Sequence, residues 1–223
     1  MSGTLYIVAT PIGNLEDITL RALRVLKEVD YIFAEDTRKT SIITKQFDIQ
    51  TSVLIYHQHS NAKVKFDILQ KLIAGKNIAQ VTDAGTPGIS DPGNELISFL
   101  LENEPSINVV PIPGPSAIAT ALSISGFRTS NFVFLGFLPK KKRTKLFKWL
   151  AEGKMTFAFY ESPHRIVKSL QAVMEKFGGD KQVVVAREIT KIYETVYRGT
   201  ITEVIEKLQV KNIKGEITVI VEG

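Results

Sequence analysis

Short β-branched runs alternate with helix-like segments along this 223-residue chain, and that alternation restricts the fold more than any other feature. In the first half, strand patterns fall at Leu5–Ala9, Tyr31–Glu35, Val53–Tyr56, Asn77–Asp83 and Asn108–Ile112, with helical patterns near 18–28, 37–46, 61–74 and 92–103. The last helix shows the logic. Asp91 can cap free amides, Pro92 suits a first turn that needs no N–H, and Leu96, Ile97, Leu100 and Leu101 then share one helical face. Such alternation predicts a mostly parallel sheet covered on both sides.

A second unit follows the proline-rich stretch Pro111–Pro115. Its strand patterns are Phe132–Gly136, Met155–Glu161, Gln182–Glu188, Glu194–Thr200 and Glu216–Glu222, with helical patterns near 116–124, 141–152, 163–177 and 201–209. Only Ile189–Tyr193 links the third strand to the fourth. Five residues cannot hold a parallel crossover, so this pair is predicted to be an antiparallel hairpin and the second sheet mixed. The predicted fold is therefore α/β in two domains, 1–113 with a mostly parallel sheet and 114–223 with a mixed one.

The chain contains no cysteine, which excludes disulfides and thiolate metal sites. No apolar run approaches the ~18 residues of a membrane span, and no charged region precedes the first apolar run, so a cytoplasmic protein with no membrane partner is expected. Residues 1–113 carry 10 Lys+Arg against 13 Asp+Glu, and residues 114–223 carry 18 against 10, so the net +5 divides into −3 and +8. The basic half suits a polyanion. The run Lys140, Lys141, Lys142, Arg143 sits where a helix starts and opposes its dipole, which favours a phosphate-binding use.

Neither GxGxxG nor GxxxxGK[ST] follows any strand, which argues against dinucleotide dehydrogenases and P-loop nucleotidases. Three strands end instead in glycine- and proline-dense loops: Ala9-Thr10-Pro11-Ile12-Gly13-Asn14, Asp83-Ala84-Gly85-Thr86-Pro87-Gly88-Ile89-Ser90-Asp91-Pro92-Gly93, and Pro111-Ile112-Pro113-Gly114-Pro115-Ser116-Ala117. Ligands of open α/β sheets sit beyond the carboxyl ends of the strands, so these loops are predicted to gather around one. Glycine admits a ligand close to the backbone and proline stiffens the loop. No metal site is expected: His57 and His59 are better read as polar residues at a strand end, and His164 as a surface or capping residue.

These loops resemble the N-domain signatures of the tetrapyrrole methylases. TLYIVATPIGNLED at Thr4–Asp17, EDTR at Glu35–Arg38, FYESPHR at Phe159–Arg165, AREITK at Ala186–Lys191, YRG at Tyr197–Gly199 and KGEITVIVEG at Lys214–Gly223 are similar to the branch that methylates cytidine ribose 2′-hydroxyls in 16S rRNA. Lys39 and Gln58 depart from that pattern, and many relatives carry a further segment after the last strand. The resemblance implies a homodimer whose two domains form a cleft for S-adenosylmethionine, and a 16S rRNA substrate within the small ribosomal subunit. It implies donor contacts from Pro11, Ile12 and Gly13, from Asp83, Ala84, Gly85, Thr86, Pro87, Ile89 and Ser90, and from Pro113, Gly114, Ser116 and Ala117. In the second domain it implies Tyr160, Ser162, Ala186 and Glu216, with Arg165 joining the basic run on RNA.

A ribose hydroxyl needs a base or a strong acceptor before it attacks a methyl group. Asp36, Asp83 and Glu161 stand near strand ends; Asp83 opens a donor loop, which leaves Asp36 and Glu161 as candidate bases. Arg38 and Arg187 can hold a phosphate or orient a carboxylate. Two alternatives stay open on the residues alone: a methyltransferase acting on a tetrapyrrole or corrinoid, and a non-catalytic RNA-binding module.

Overall fold

The computed structural model describes residues 2–57, 60–90, 93–139, 143–210 and 213–223, and it divides into two compact units, 1–116 and 117–223. The first unit is a five-stranded sheet of order β3-β2-β4-β1-β5, with β1 at Thr4–Val8, β2 at Tyr31–Ala34, β3 at Ser52–Ile55, β4 at Ile78–Val81 and β5 at Asn108–Ile112. All its pairings are parallel.

Period-2 alternation sorts the apolar side chains onto two faces. Val8, Ile32, Ala34, Ala79 and Val81 pack against Ala22, Val25 and Leu26 of α1 (Leu20–Glu28) and Ile43 of α2 (Thr37–Gln46). Leu5, Phe33 and Ile78 pack against Ile68, Leu69 and Leu72 of α3 (Ala62–Ile73) and Leu96 and Leu100 of α4 (Asn94–Asn103). Thus β1 and β2 feed helices on one face, while β4, lying between them, feeds α4 on the other. The carboxyl end of β4 is a switch point, where open α/β sheets leave a crevice.

Local chemistry sets several boundaries. The first helix starts at Leu20 rather than near 18 because the Thr19 Oγ1 accepts from the Ala22 N–H and caps it, after a 3-10 turn at Leu15–Asp17. Asp91 and Pro92, read as cap and first-turn residues of α4, lie outside the described residues. So do Gln58, His59 and Lys140–Lys142.

The second unit has the order β6-β7-β10-β8-β9, with β6 at Phe132–Phe137, β7 at Thr156–Glu161, β8 at Gln182–Arg187, β9 at Thr195–Thr200 and β10 at Ile217–Val221. β6 and β7 run parallel, and β10 runs antiparallel to both β7 and β8. The β8–β9 pair is antiparallel, as its short link requires. One core gathers Phe157, Phe159, Val183, Val185, Val219 and Val221 under α6 (Arg143–Gly153), α7 (Ile166–Phe177) and α8 (Ile201–Gln209). A reciprocal capping box between Thr200 and Glu203 starts α8. The short helix α5 (Ala117–Ser123) opens this unit. No helix among the described residues is long and apolar enough to cross a membrane.

Candidate functional site

The three glycine- and proline-rich loops of the first unit meet at the carboxyl edge of its sheet. Thr10 and Gly85 exchange backbone hydrogen bonds at 2.9 and 3.0 Å, an isolated bridge that ties the loop after β1 to the loop after β4. The Thr86 hydroxyl donates to the Pro115 carbonyl at 3.2 Å, tying in the loop after β5. Gly85, at φ +80°, lies between the other two: a Cβ there would stand 3.4 Å from Ile12 Cγ2 and 3.7 Å from the Pro115 oxygen. Gly114 backs onto Ala9, where an added Cβ would approach to 3.0 Å. Pro11, Ile12, Gly85 and Pro87 are buried, whereas Gly13, Ile89, Ser90, Pro113 and Gly114 are exposed to differing degrees. Asp83, Ala84, Thr86, Ser116 and Ala117 are half-buried.

Two buried acceptors are left over beside these loops. Asp83 Oδ1 and Gln80 Oε1 find no hydrogen-bond partner among the described residues. An unsatisfied buried oxygen costs about 1–3 kcal/mol, so it marks either strain or a place for a ligand donor. Asp83 Oδ2 is held by Lys39 Nζ at 2.7 Å, which fixes the carboxylate while leaving Oδ1 open. Gln80 is not among the residues that the sequence singles out, although a polar residue amid Ile78-Ala79-Gln80-Val81 is a visible signal. Lys39 has no role in the sequence reading because it departs from the family pattern, yet it is what orients Asp83.

Asp36 and Arg38 form a separate constellation at the start of α2. Asp36 caps the helix through the Arg38 N–H and takes Arg38 Nε and Nη2 at 3.0 and 2.7 Å. The Arg38 guanidinium, then its backbone N–H, hold the Asp36 carboxyl down at about 2. A carboxylate with so weak a hold on a proton is a poor general base near neutral pH. Its ionic form favours the fold above its ordinary value of 3.8, and that contribution is lost as the pH falls toward 2. The difference in thermal stability between the native protein and Asp36→Asn, which keeps a helix cap, is therefore expected to shrink between about pH 4 and 2; melting curves across that range check it.

In the second unit Glu161 is buried at the end of β7. Its Oε1 accepts from the Ser162 N–H at 2.8 Å, and its Oε2 accepts from the Ser169 hydroxyl at 2.5 Å, with Arg165 Nη2 3.3 Å away. Arg165 also donates to the Leu138 carbonyl at 2.7 Å. This carboxylate is thus engaged on both oxygens, and Arg165 is committed to holding the ends of β6 and β7 together. Arg143 Nε bonds the Pro139 carbonyl at 2.6 Å. Arg187 donates to the carbonyls of Lys214 and Tyr193 and so braces the hairpin. Ala186 is buried in β8, Tyr160 and Ser162 are half-buried, and the Glu216 side chain is exposed and paired with Lys191 at 3.1 Å. His164 lies exposed in the turn before α7, and no metal-binding cluster of His, Cys, Asp or Glu occurs among the described residues.

The chain matches the family model for tetrapyrrole (corrin/porphyrin) methylases over residues 4–205. It is 47% identical over 223 residues to ribosomal RNA small subunit methyltransferase I of Halalkalibacterium halodurans, covering 99% of this chain and 76% of that one. Its identity to the protein of the same name from Thermotoga maritima is 43%, covering 99% of each. Among solved structures, the methyltransferase CobJ superposes with a TM-score of 0.75 at 17% identity, over 100% of this chain and 95% of that one. Cobalt precorrin-4 methyltransferase follows at 0.74 and 18%, over 98% and 94%, and these two likenesses speak to fold alone. With its looped parallel sheet, its mixed second sheet and relatives that match 99% of its length, the chain belongs to the tetrapyrrole methylase family, in the ribosomal RNA small subunit methyltransferase I group.

Proposed function

We propose that this protein transfers a methyl group from S-adenosylmethionine to the 2′-hydroxyl of a cytidine ribose in 16S rRNA of the small ribosomal subunit. The observation that carries the donor half of this reading is the open Asp83 Oδ1 within the tied loops of the first unit. A donor molecule with ribose hydroxyls and an ammonium group offers the hydrogen-bond donors that this buried oxygen lacks. The RNA half rests on the relatives named ribosomal RNA small subunit methyltransferase I, which match 99% of this chain, and on the +8 charge of residues 114–223.

Bound S-adenosylmethionine supplies a methyl group on a cationic sulfur. The chain's own residues orient and hold. Gly85 and Gly114 let the loops pack closely on one another, the Thr10–Gly85 bridge keeps them in register, and Asp83 accepts a hydrogen bond from the donor molecule. Asp36 commits its charge to Arg38, whose Nη1 is left for an RNA phosphate or the target ribose. Rate enhancement then comes mainly from alignment of the ribose oxygen with the methyl group, which alone can supply several kcal/mol, while the sulfur–methyl bond breaks as the oxygen–methyl bond forms and the hydroxyl proton passes to solvent water as acceptor. Asp36→Asn is expected to keep donor affinity within a few-fold and to lower turnover at least tenfold by freeing Arg38; calorimetry with a labelled-methyl assay reads both.

Tyr160, Ser162, Ala186 and Glu216 are proposed to contribute to donor binding from the second unit, and Lys140–Lys142 with Arg143 to RNA binding. Neutralising the exposed Lys145 and Lys148 is expected to lower the salt dependence of RNA affinity by about one unit of slope for each phosphate that is no longer neutralised. Filter binding at several salt concentrations measures that slope. A homodimer working in the cytoplasm is the accompanying expectation, with sedimentation as its test. The function itself is tested by offering labelled donor with small subunits, naked 16S rRNA and a tetrapyrrole precursor in parallel. Label in small-subunit RNA supports the proposal, and label confined to the tetrapyrrole overturns it.

A further inference from the structure

The edge strand β6 carries an irregularity that places an aromatic side chain where a regular strand would not. β6 pairs with β7 in register at Phe134 opposite Ala158, and next at Phe137 opposite Tyr160. Three steps on one strand therefore span two on the other, a β-bulge with one extra residue. Gly136, at φ +61°, occupies that stretch, a conformation that glycine takes without a Cβ clash. In unbroken alternation Phe134 and Phe137 would point to opposite faces. With the bulge both rings meet Tyr160 edge-on, at centroid distances of 5.0 and 5.7 Å. The next residue, Leu138, turns into the core, and its carbonyl is pinned by Arg165.

The result is a phenyl ring set edge-on against Tyr160, itself packed on Phe134, yet 58% exposed. Phe137 lies outside the core of this unit, and what sets it apart from other exposed apolar side chains is that the bulge aims its ring onto Tyr160. The surrounding sequence indicates which partner. Between Glu104 and Glu152 the chain has no acidic residue, while it carries Arg128, Lys140, Lys141, Lys142, Arg143, Lys145 and Lys148. Along α6, Lys145 and Lys148 are exposed. An ordered, exposed aromatic ring next in sequence to a purely cationic run is the combination that single-stranded RNA recognises, by stacking of a base and neutralisation of its phosphates. A second protein surface would gain little from so one-sided a charge.

We propose that Phe137 stacks on a nucleobase of the RNA substrate, with Phe134, Tyr160 and the Gly136 bulge as its mount. This rests on the RNA-methyltransferase reading and adds a substrate-positioning residue to it. Stacking needs a flat π face, so shape and polarity can be separated by substitution. In the full-length protein, Phe137→Leu and Phe137→Ala are expected to raise KM for small subunits about tenfold. Phe137→Tyr should stay within about twofold. Donor affinity by calorimetry and the melting temperature should be unchanged in all three.

Phe137→Leu with a native KM would overturn the stacking role. A parallel loss of donor affinity would reassign the ring to the donor site, and a change of sedimentation on Phe137→Leu would reassign it to a contact between copies; either overturns the proposal. The native protein is run beside the variants. If it leaves small-subunit RNA unmethylated, the RNA reading itself falls; if it methylates that RNA and Phe137→Leu equals it, only the stacking proposal falls.

Discussion

Asp83→Ala is expected to weaken S-adenosylmethionine binding by about 10- to 100-fold, the range for losing a hydrogen bond to a charged group. The substitution removes a buried oxygen that has no partner within the described chain, so the fold loses nothing on that side. On the other side it releases Lys39, a side chain 57% exposed that can turn to water at little cost. Donor affinity should therefore fall without a matching fall in melting temperature. Lys39→Ala is the informative companion: Asp83 keeps its charge but loses its clamp, and a smaller loss, about threefold to tenfold, is expected. Isothermal calorimetry and thermal melts on the same preparations separate the two effects. Equal donor affinity in Asp83→Ala would move the donor away from these loops.

Glu161→Ala is expected to act the other way, through stability. The side chain is buried, the residue only 2% exposed, and it gathers the Ser162 N–H, the Ser169 hydroxyl and the Arg165 guanidinium. Removing it strands a buried hydroxyl and a partly buried cation, at about 3 kcal/mol. In a unit of this size the melting temperature should drop by roughly 10 °C. Glu161→Gln keeps the shape and one acceptor and should lose less. At a temperature where both variants remain folded, donor affinity and turnover are expected within a few-fold of native. Should Glu161→Gln melt like the native protein yet turn over tenfold slower, Glu161 would be the proton acceptor after all, the role its place at a strand end suggested.

Much of the architecture was legible because it depends on local pattern. Short apolar runs such as Tyr31–Ala34 alternating with helical patterns, and the short link between β8 and β9, pointed to a parallel sheet followed by a mixed one. The meeting of the loops was legible in kind: glycine and proline at three strand ends of an open sheet foretold that these loops would gather at its carboxyl edge. What was not legible depends on distances between residues far apart in sequence. Lys39 reaches Asp83 across 44 positions. Ser169 reaches Glu161 from within a helix, where a lone serine carries no signal of burial. Charge alone named Asp36 and Glu161 as equal candidates; the structure separates them, since one is tied to an exposed arginine and the other is locked in a core. The bulge at Gly136 depends on pairing register, which a single strand's sequence does not reveal.

The proposed function stands most directly on where the methyl group goes. Small subunits incubated with this protein and isotopically labelled S-adenosylmethionine can be stripped, their 16S rRNA digested to nucleosides, and the label located by tandem mass spectrometry. The expected result is label on the ribose of cytidine, reduced at least about fivefold when Asp83→Ala is assayed at a donor concentration near the native Kd. Label on a base, or in a tetrapyrrole precursor with none in the RNA, would contradict it.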